Sequence, residues 1–230
     1  MREICLDIET TGLDPTQGHK VIEIACIELR DRVKTSNHFH VYINPRRDVP
    51  QEAFNVHGIS TEFLQDKPIF DHVAHKFLDF VGDSNIIAHN AAFDVKFLNY
   101  ELDLLGLGPL KKENIIDSLA IARRKFPGSP ASLDALCRRF NIDLSKRTKH
   151  NALVDTELLC AVYIELMGGA QKGFSFDQSQ SPSNDNQEAI QTSKKQVIAS
   201  RNFKISDEEQ ALHKKFIMDN IPDNLWGYKE

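Results

Sequence analysis

Cys5-Leu6-Asp7-Ile8-Glu9-Thr10-Thr11-Gly12-Leu13 is a short apolar run that carries two carboxylates and ends in a turn. Read as a strand, it alternates faces: Asp7 and Glu9 point one way, Leu6 and Ile8 the other. Two like charges on one face repel, and their burial costs several kcal/mol unless a cation lies between them. Oxygen ligands of this kind suit a hard ion such as magnesium or manganese. Alone, the stretch fits an exposed strand face with two acids better than a metal site, so the rest of the chain has to decide.

Working outward, Lys20 to Arg30 reads as a mostly buried strand and His38 to Ile43 as a third, ended by Asn44-Pro45. Three early strands with short turns predict an antiparallel meander. Phe54 to Ile59 reads as a loop, followed by a short helix capped by Ser60 or Thr61. Val73, Phe77, Phe80 and Val81 recur at helical spacing. Asn85 to His89 is a buried strand, with Asn90 as the helix N-cap and a helix over 91–105 that Gly106 stops. Asn114 to Asp117 gives another strand. Helices follow near 118–125 and 132–140, and a last one runs over about 152–167. The fold class predicted is α/β: a mixed sheet, antiparallel meander plus parallel strands, flanked by helices.

The 230 residues, 41% of them hydrophobic, allow one ordinary domain plus an appendage. The net charge of −5 gives no global sign of nucleic-acid binding. The segment from Arg123 to Lys149 is locally basic, however, and fits either a solvated face or a phosphate-binding surface. Cys5, Cys26, Cys137 and Cys160 form no C-x-x-C pair and sit among apolar neighbours, as buried free thiols do. No signal peptide or membrane span is legible, so the expectation is a soluble, cytoplasmic protein with no membrane partner. From Asp177 to Gln187 no residue is apolar, which predicts a disordered linker. The divisions expected are a catalytic domain at 1–169, a flexible linker at 170–194 and a tail at 195–230.

A second set of polar residues lies far along the chain. In His150-Asn151-Ala152-Leu153-Val154-Asp155, histidine and acid would stand about 140° apart on one helix. They converge only if His150 precedes the helix and Asp155 lies inside it. Asp94 falls in the first turn of the helix after Asn90.

Asp7–Leu13, His89–Leu98 and His150–Asp155 resemble the three motifs of the DEDD exonucleases, and the histidine five residues before the last aspartate resembles their His-bearing subclass. Phe54–Leu64 is similar to the proofreading subunits of bacterial replicative polymerases. The resemblance covers about residues 1–168 and implies a ribonuclease H-like fold. It implies a metal-dependent 3′→5′ exonuclease that removes mispaired terminal nucleotides from DNA, with two Mg2+ or Mn2+ ions about 4 Å apart. Asp7, Glu9, Asp94 and Asp155 would be the metal ligands, and His150 the catalytic base. Asp7, Glu9, Gly12, Glu52, His57 and Asp155 would meet the terminal nucleotide, Gly12 by letting backbone approach it. Lys146, Arg147 and Lys149 are our own candidates for holding the strand's phosphates.

The partners implied are a DNA 3′ end, a polymerase catalytic subunit bound through the tail, the sliding clamp and a small stabilising subunit. Gln171, Phe174 and Phe176 resemble a clamp-binding peptide, though phenylalanine stands where leucine or methionine is usual. An RNA-trimming exonuclease of the same superfamily is the nearest rival, since the metal chemistry is blind to the 2′-hydroxyl. A non-catalytic stabilising subunit is the rival of another class; it would have no use for the four acids and His150 together.

Overall fold

The first unit of the chain, Met1–Phe176, is built on a five-stranded sheet ordered β3-β2-β1-β4-β5. The strands are β1 (Arg2–Thr10), β2 (Val21–Arg30), β3 (Val33–Tyr42), β4 (Asn85–Ala88) and β5 (Ile115–Asp117). β1, β2 and β3 pair antiparallel, and β4 and β5 add in parallel on the other side of β1. The sheet is therefore mixed, as expected. The computed structural model describes residues 1–145, 147, 149–169 and 205–220.

Alternation along β1 divides the core. Ile4, Leu6 and Ile8 face α3 (Phe70–Val81) and α4 (Ala91–Leu104), packing with Phe77, Phe97 and Leu98. Cys5 faces the opposite side, with Ile27, Leu29 and Ile87, against Leu159, Cys160 and Tyr163 of α7 (Ala152–Leu166). The far side of α7 packs Leu158, Val162 and Leu166 against α5 (Ser118–Lys125) and α6 (Leu133–Arg139). Being covered on both sides, α7 is apolar nearly all round, as a buried helix must be.

Three sequence expectations need correction. Phe54–Ile59 is not a loop: α1 spans Gln51–His57, followed by α2 at Thr61–Leu64. Seven residues are too few to show a helical period, and its stop is Gly58 at φ 75°, a left-handed cap that suits glycine. β3 starts at Val33, five residues earlier than read, because its first half is an exposed, polar sheet edge without the alternation of a buried strand. The turn before it places Asp31 and Arg32 at φ 51° and 65°. Asn90 precedes α4 but its side chain caps nothing; it sits at φ 70°, and its own amide donates to Asp117 Oδ1 at 3.0 Å.

The second unit is Asp177–Glu230, in which the described residues form one helix, α8 (Asp207–Asn220). Ser206 and Glu209 close its start reciprocally: Ser206 Oγ accepts from the Glu209 amide at 3.2 Å, and Glu209 Oε2 accepts from the Ser206 amide at 3.1 Å. The linker read at 170–194, with its clamp-like Gln171, Phe174 and Phe176, lies outside the described residues, as do Phe203 and Trp226 of the tail.

Because, among the described residues, 4–167 supply the core clusters of the first unit, a chain truncated after Gly169 should fold alone. Its thermal unfolding, followed by circular dichroism, should stay cooperative with a midpoint within about 4 °C of the full chain, roughly the effect of 1 kcal/mol in a domain of this size. Loss of the cooperative transition would make the tail part of the core.

Candidate active site

β4 pairs with β1 only at Glu3 to Cys5, so β1 runs on past the end of its parallel neighbour. Asp7 and Glu9 lie on that overhang, on the same face as Cys5 and therefore toward α7. α4 starts just beyond β4 and brings Asp94, in its first turn, to the overhang. From above, α7 contributes Asp155 in its first turn, while His150 precedes the helix. Asn151 caps α7, its side chain accepting from the Val154 amide at 3.1 Å. His150 Nδ1 then stands 3.2 Å from Asp155 Oδ2. Asp7, His89, Ser132, Leu133, Asp134, Arg147, His150 and Asp155 line a cleft of about 330 Å³ here.

The acids repel one another as the sequence suggests. Burial raises Glu9 to about 8, with Glu23, Asp155 and Asp94 adding to the rise and Arg147 opposing it. Burial also raises Asp94 to about 7, although its own amide and that of Ile8 pull the other way. Asp7 is pushed well above the carboxylate range, first by burial and then by Asp94, Glu9 and Asp155. Asp155 goes the other way: burial pushes it up, but hydrogen bonds from His150 and Arg147 outweigh that and hold it low. Carboxylates that resist ionising together are ready to take up cations. Glu9, His150 and Asp155 each offer an atom within 4.8 Å of the other two, a spacing that fits one metal ion. Asp7 and Asp94 add oxygen donors beside them, as hard divalent ions require.

Arg147 does not lie free for phosphate, as the basic run suggested. Its guanidinium spans Asp155, with Nε 2.5 Å from Oδ1 and Nη2 3.0 Å from Oδ2. Nη1 reaches Asp134 at 2.6 Å, and Nη2 also lies 3.0 Å from His150 Nδ1. A buried carboxylate pairs with the nearest guanidinium, which the local count of charges did not reveal. Lys149 stacks on the Phe54 ring at 5.0 Å, and Lys146 lies outside the described residues.

His57 is buried at the end of α1, and Nδ1 accepts from the Ile59 amide at 3.0 Å. Burial lowers its pKa, with Lys149 and His150 adding to the effect against Glu23. Glu52 is exposed on the first turn of the same helix. Gly12 has a packing reason of its own, because a Cβ there would collide with the His19 ring.

Glu23 was passed over in the sequence. It faces Glu9 directly across β1 and β2 and is fully buried. Oε1 meets His40 Nε2 at 2.7 Å and Asn151 Nδ2 at 3.2 Å, and Oε2 accepts from the Ala152 amide at 3.2 Å. It thus pins the start of α7, and with it Asp155 and His150, to the sheet. One acid inside the apolar run Val21-Ile22-Glu23-Ile24 was the signal that could have found it.

A family model described as exonuclease matches residues 4–163. The chain is 49% identical over 220 residues to the DNA polymerase III subunit epsilon of Rickettsia felis, covering 94% of this chain and 96% of that one. To the same subunit of Escherichia coli K12 it is 43% identical over 219 residues, covering 92% and 90%. Among solved structures, exonuclease X in complex with 5′ overhanging duplex DNA superposes with a TM-score of 0.58 at 26% identity, covering 72% of this chain and 90% of that one. The nuclease domain of 3′hExo, a DEDDh family member bound to rAMP, superposes with a TM-score of 0.64 at 20% identity, covering 72% and 91%, and so speaks for the fold.

Proposed function

Because the chain belongs to the exonuclease family and, within it, to the DNA polymerase III epsilon subunits, we propose that it is a metal-dependent 3′→5′ DNA exonuclease, the proofreading subunit of a replicative polymerase. What supports this reading is the convergence of Asp7, Glu9, Asp94 and Asp155 with His150, whose Nδ1 stands 3.2 Å from Asp155.

In this reading Asp7, Glu9, Asp94 and Asp155 hold two divalent ions, Mg2+ or Mn2+. When bound, the ions supply an activated water and neutralise charge gathering on the phosphate oxygens. The chain's own residues do the rest. His150 accepts the water's proton, and Asp155 orients its ring. Glu23 keeps α7 seated so that this pair faces β1. His57 and Glu52, with Gly12, border the place for the terminal nucleotide. The tail from about Lys195 carries the polymerase contact, and Gln171, Phe174 and Phe176 a clamp contact. The protein works in the cytoplasm; no helix among the described residues is long and apolar enough to cross a membrane.

Digestion of one 5′-labelled single strand, as DNA and as RNA, tests the whole reading. We expect stepwise shortening from the 3′ end with release of mononucleotides, faster on DNA, and none in excess EDTA. A circular single strand should survive. Cutting of the circle, full activity in EDTA, or preference for RNA would each overturn a stated part of it.

A further inference from the structure

Both oxygens of Asp155 are already engaged. Oδ1 takes Arg147 Nε at 2.5 Å, and Oδ2 takes Arg147 Nη2 at 3.0 Å and His150 Nδ1 at 3.2 Å. A metal that approaches Asp155 therefore meets the Arg147 charge at bonding distance from the same carboxylate. Arg147 Nη2 also lies against the His150 ring, 3.0 Å from Nδ1 and 3.4 Å from Nε2.

Resting on the proposed metal role of Asp155, we propose that Arg147 is an exchangeable internal cation: it neutralises Asp155 when the site holds no metal and competes with metal for that carboxylate. Its bond to Asp134 at 2.6 Å is the tether that keeps it at the cleft after release. The side chain is only 12% exposed, so its charge is poorly screened and acts strongly on the acids beside it. An arginine suits the part because its fork spans a carboxylate while its charge never titrates away. Asp134 lies in the first turn of α6 and outside the four acids, so the tether survives metal loading. Arg147 is thus a positioning residue, setting the state of Asp155.

The test is calorimetric titration of the full chain with Mn2+ at pH 8, without DNA. Arg147→Gln should bind about tenfold tighter or more, as removal of one cation within bonding distance of a ligand implies. A purely structural role predicts the opposite, since a loosened site binds metal less well. Arg147→Lys keeps the charge without the fork and should fall in between; it also answers the question if the glutamine variant fails to fold. Affinity in both variants equal to or weaker than wild type overturns the exchange and leaves the metal reading intact. No Mn2+ binding by the wild type overturns the metal reading and the exchange with it.

Discussion

Replacing Asp7 with asparagine should lower nucleotide release by at least about 10³-fold, the scale of losing a group that stabilises transition-state charge. The same change should raise the melting temperature of the metal-free protein at pH 8 by about 5 °C, from relief of one buried like charge. The two effects have one cause. Asp7 is raised first by burial and then by Asp94, Glu9 and Asp155, so without a cation its ionised form is a burden on the fold. Asparagine keeps the shape and discards the charge. Glu9, held near 8, and Asp94, held near 7, set the pH window. Unfolded, these acids titrate near 4. A pKa raised in the folded state means that the native protein holds more protons, so its stability is full below about 4 and drains away as pH climbs through 7 and 8. Divalent ions bind the deprotonated acids and reverse that slope. Mn2+ should therefore stabilise the wild type by several degrees at pH 8 and hardly at all at pH 5. Melting curves in EDTA and in Mn2+ at both values decide it. An Asp7→Asn protein that melts below wild type in EDTA at pH 8 would show that the carboxylate serves the fold and not the chemistry.

How much of this was legible depended on whether a residue announces itself locally. The alternation Leu6-Asp7-Ile8-Glu9 announced a strand with one acidic face, and the structure turns that face to α7. The break between His150 and the helix at Ala152 was legible as well, because the two side chains had no other way to meet. Arg147 was not. Its neighbours in sequence are basic, and only the fold sets it between Asp134 and Asp155. Glu23 hid inside an apolar strand, where its partners come from β3 and α7. α1 hid for lack of length. In each case the missing information was a contact between distant segments, which periodicity and caps do not carry.

His150→Ala should reduce turnover by about 100-fold or more, the usual loss of a general base, while leaving Mn2+ affinity nearly unchanged. The geometry allows the contrary role, since Glu9, His150 and Asp155 lie close enough to share one ion. Three observations favour the base. His150 is 52% exposed while Asp155 beside it is 4% exposed, so the ring stands at the mouth of the cleft and not among the buried oxygens. Its Nδ1 faces the carboxylate that would orient it, the arrangement a base needs and a ligand does not. The other donors, Asp7, Glu9 and Asp94, are all carboxylates, and hard divalent ions prefer such oxygen to imidazole nitrogen. The roles separate when turnover and Mn2+ affinity are measured on the same variant. A lost base leaves calorimetric affinity in place and lets added imidazole restore part of the turnover, since the small molecule can enter an open cleft. A lost ligand lowers affinity and activity together, and excess Mn2+ then restores activity where imidazole does not. If affinity collapses with His150, the base must be sought elsewhere. His89 would be next, because it lines the same cleft and its Nδ1 lies 2.9 Å from Ser118 Oγ.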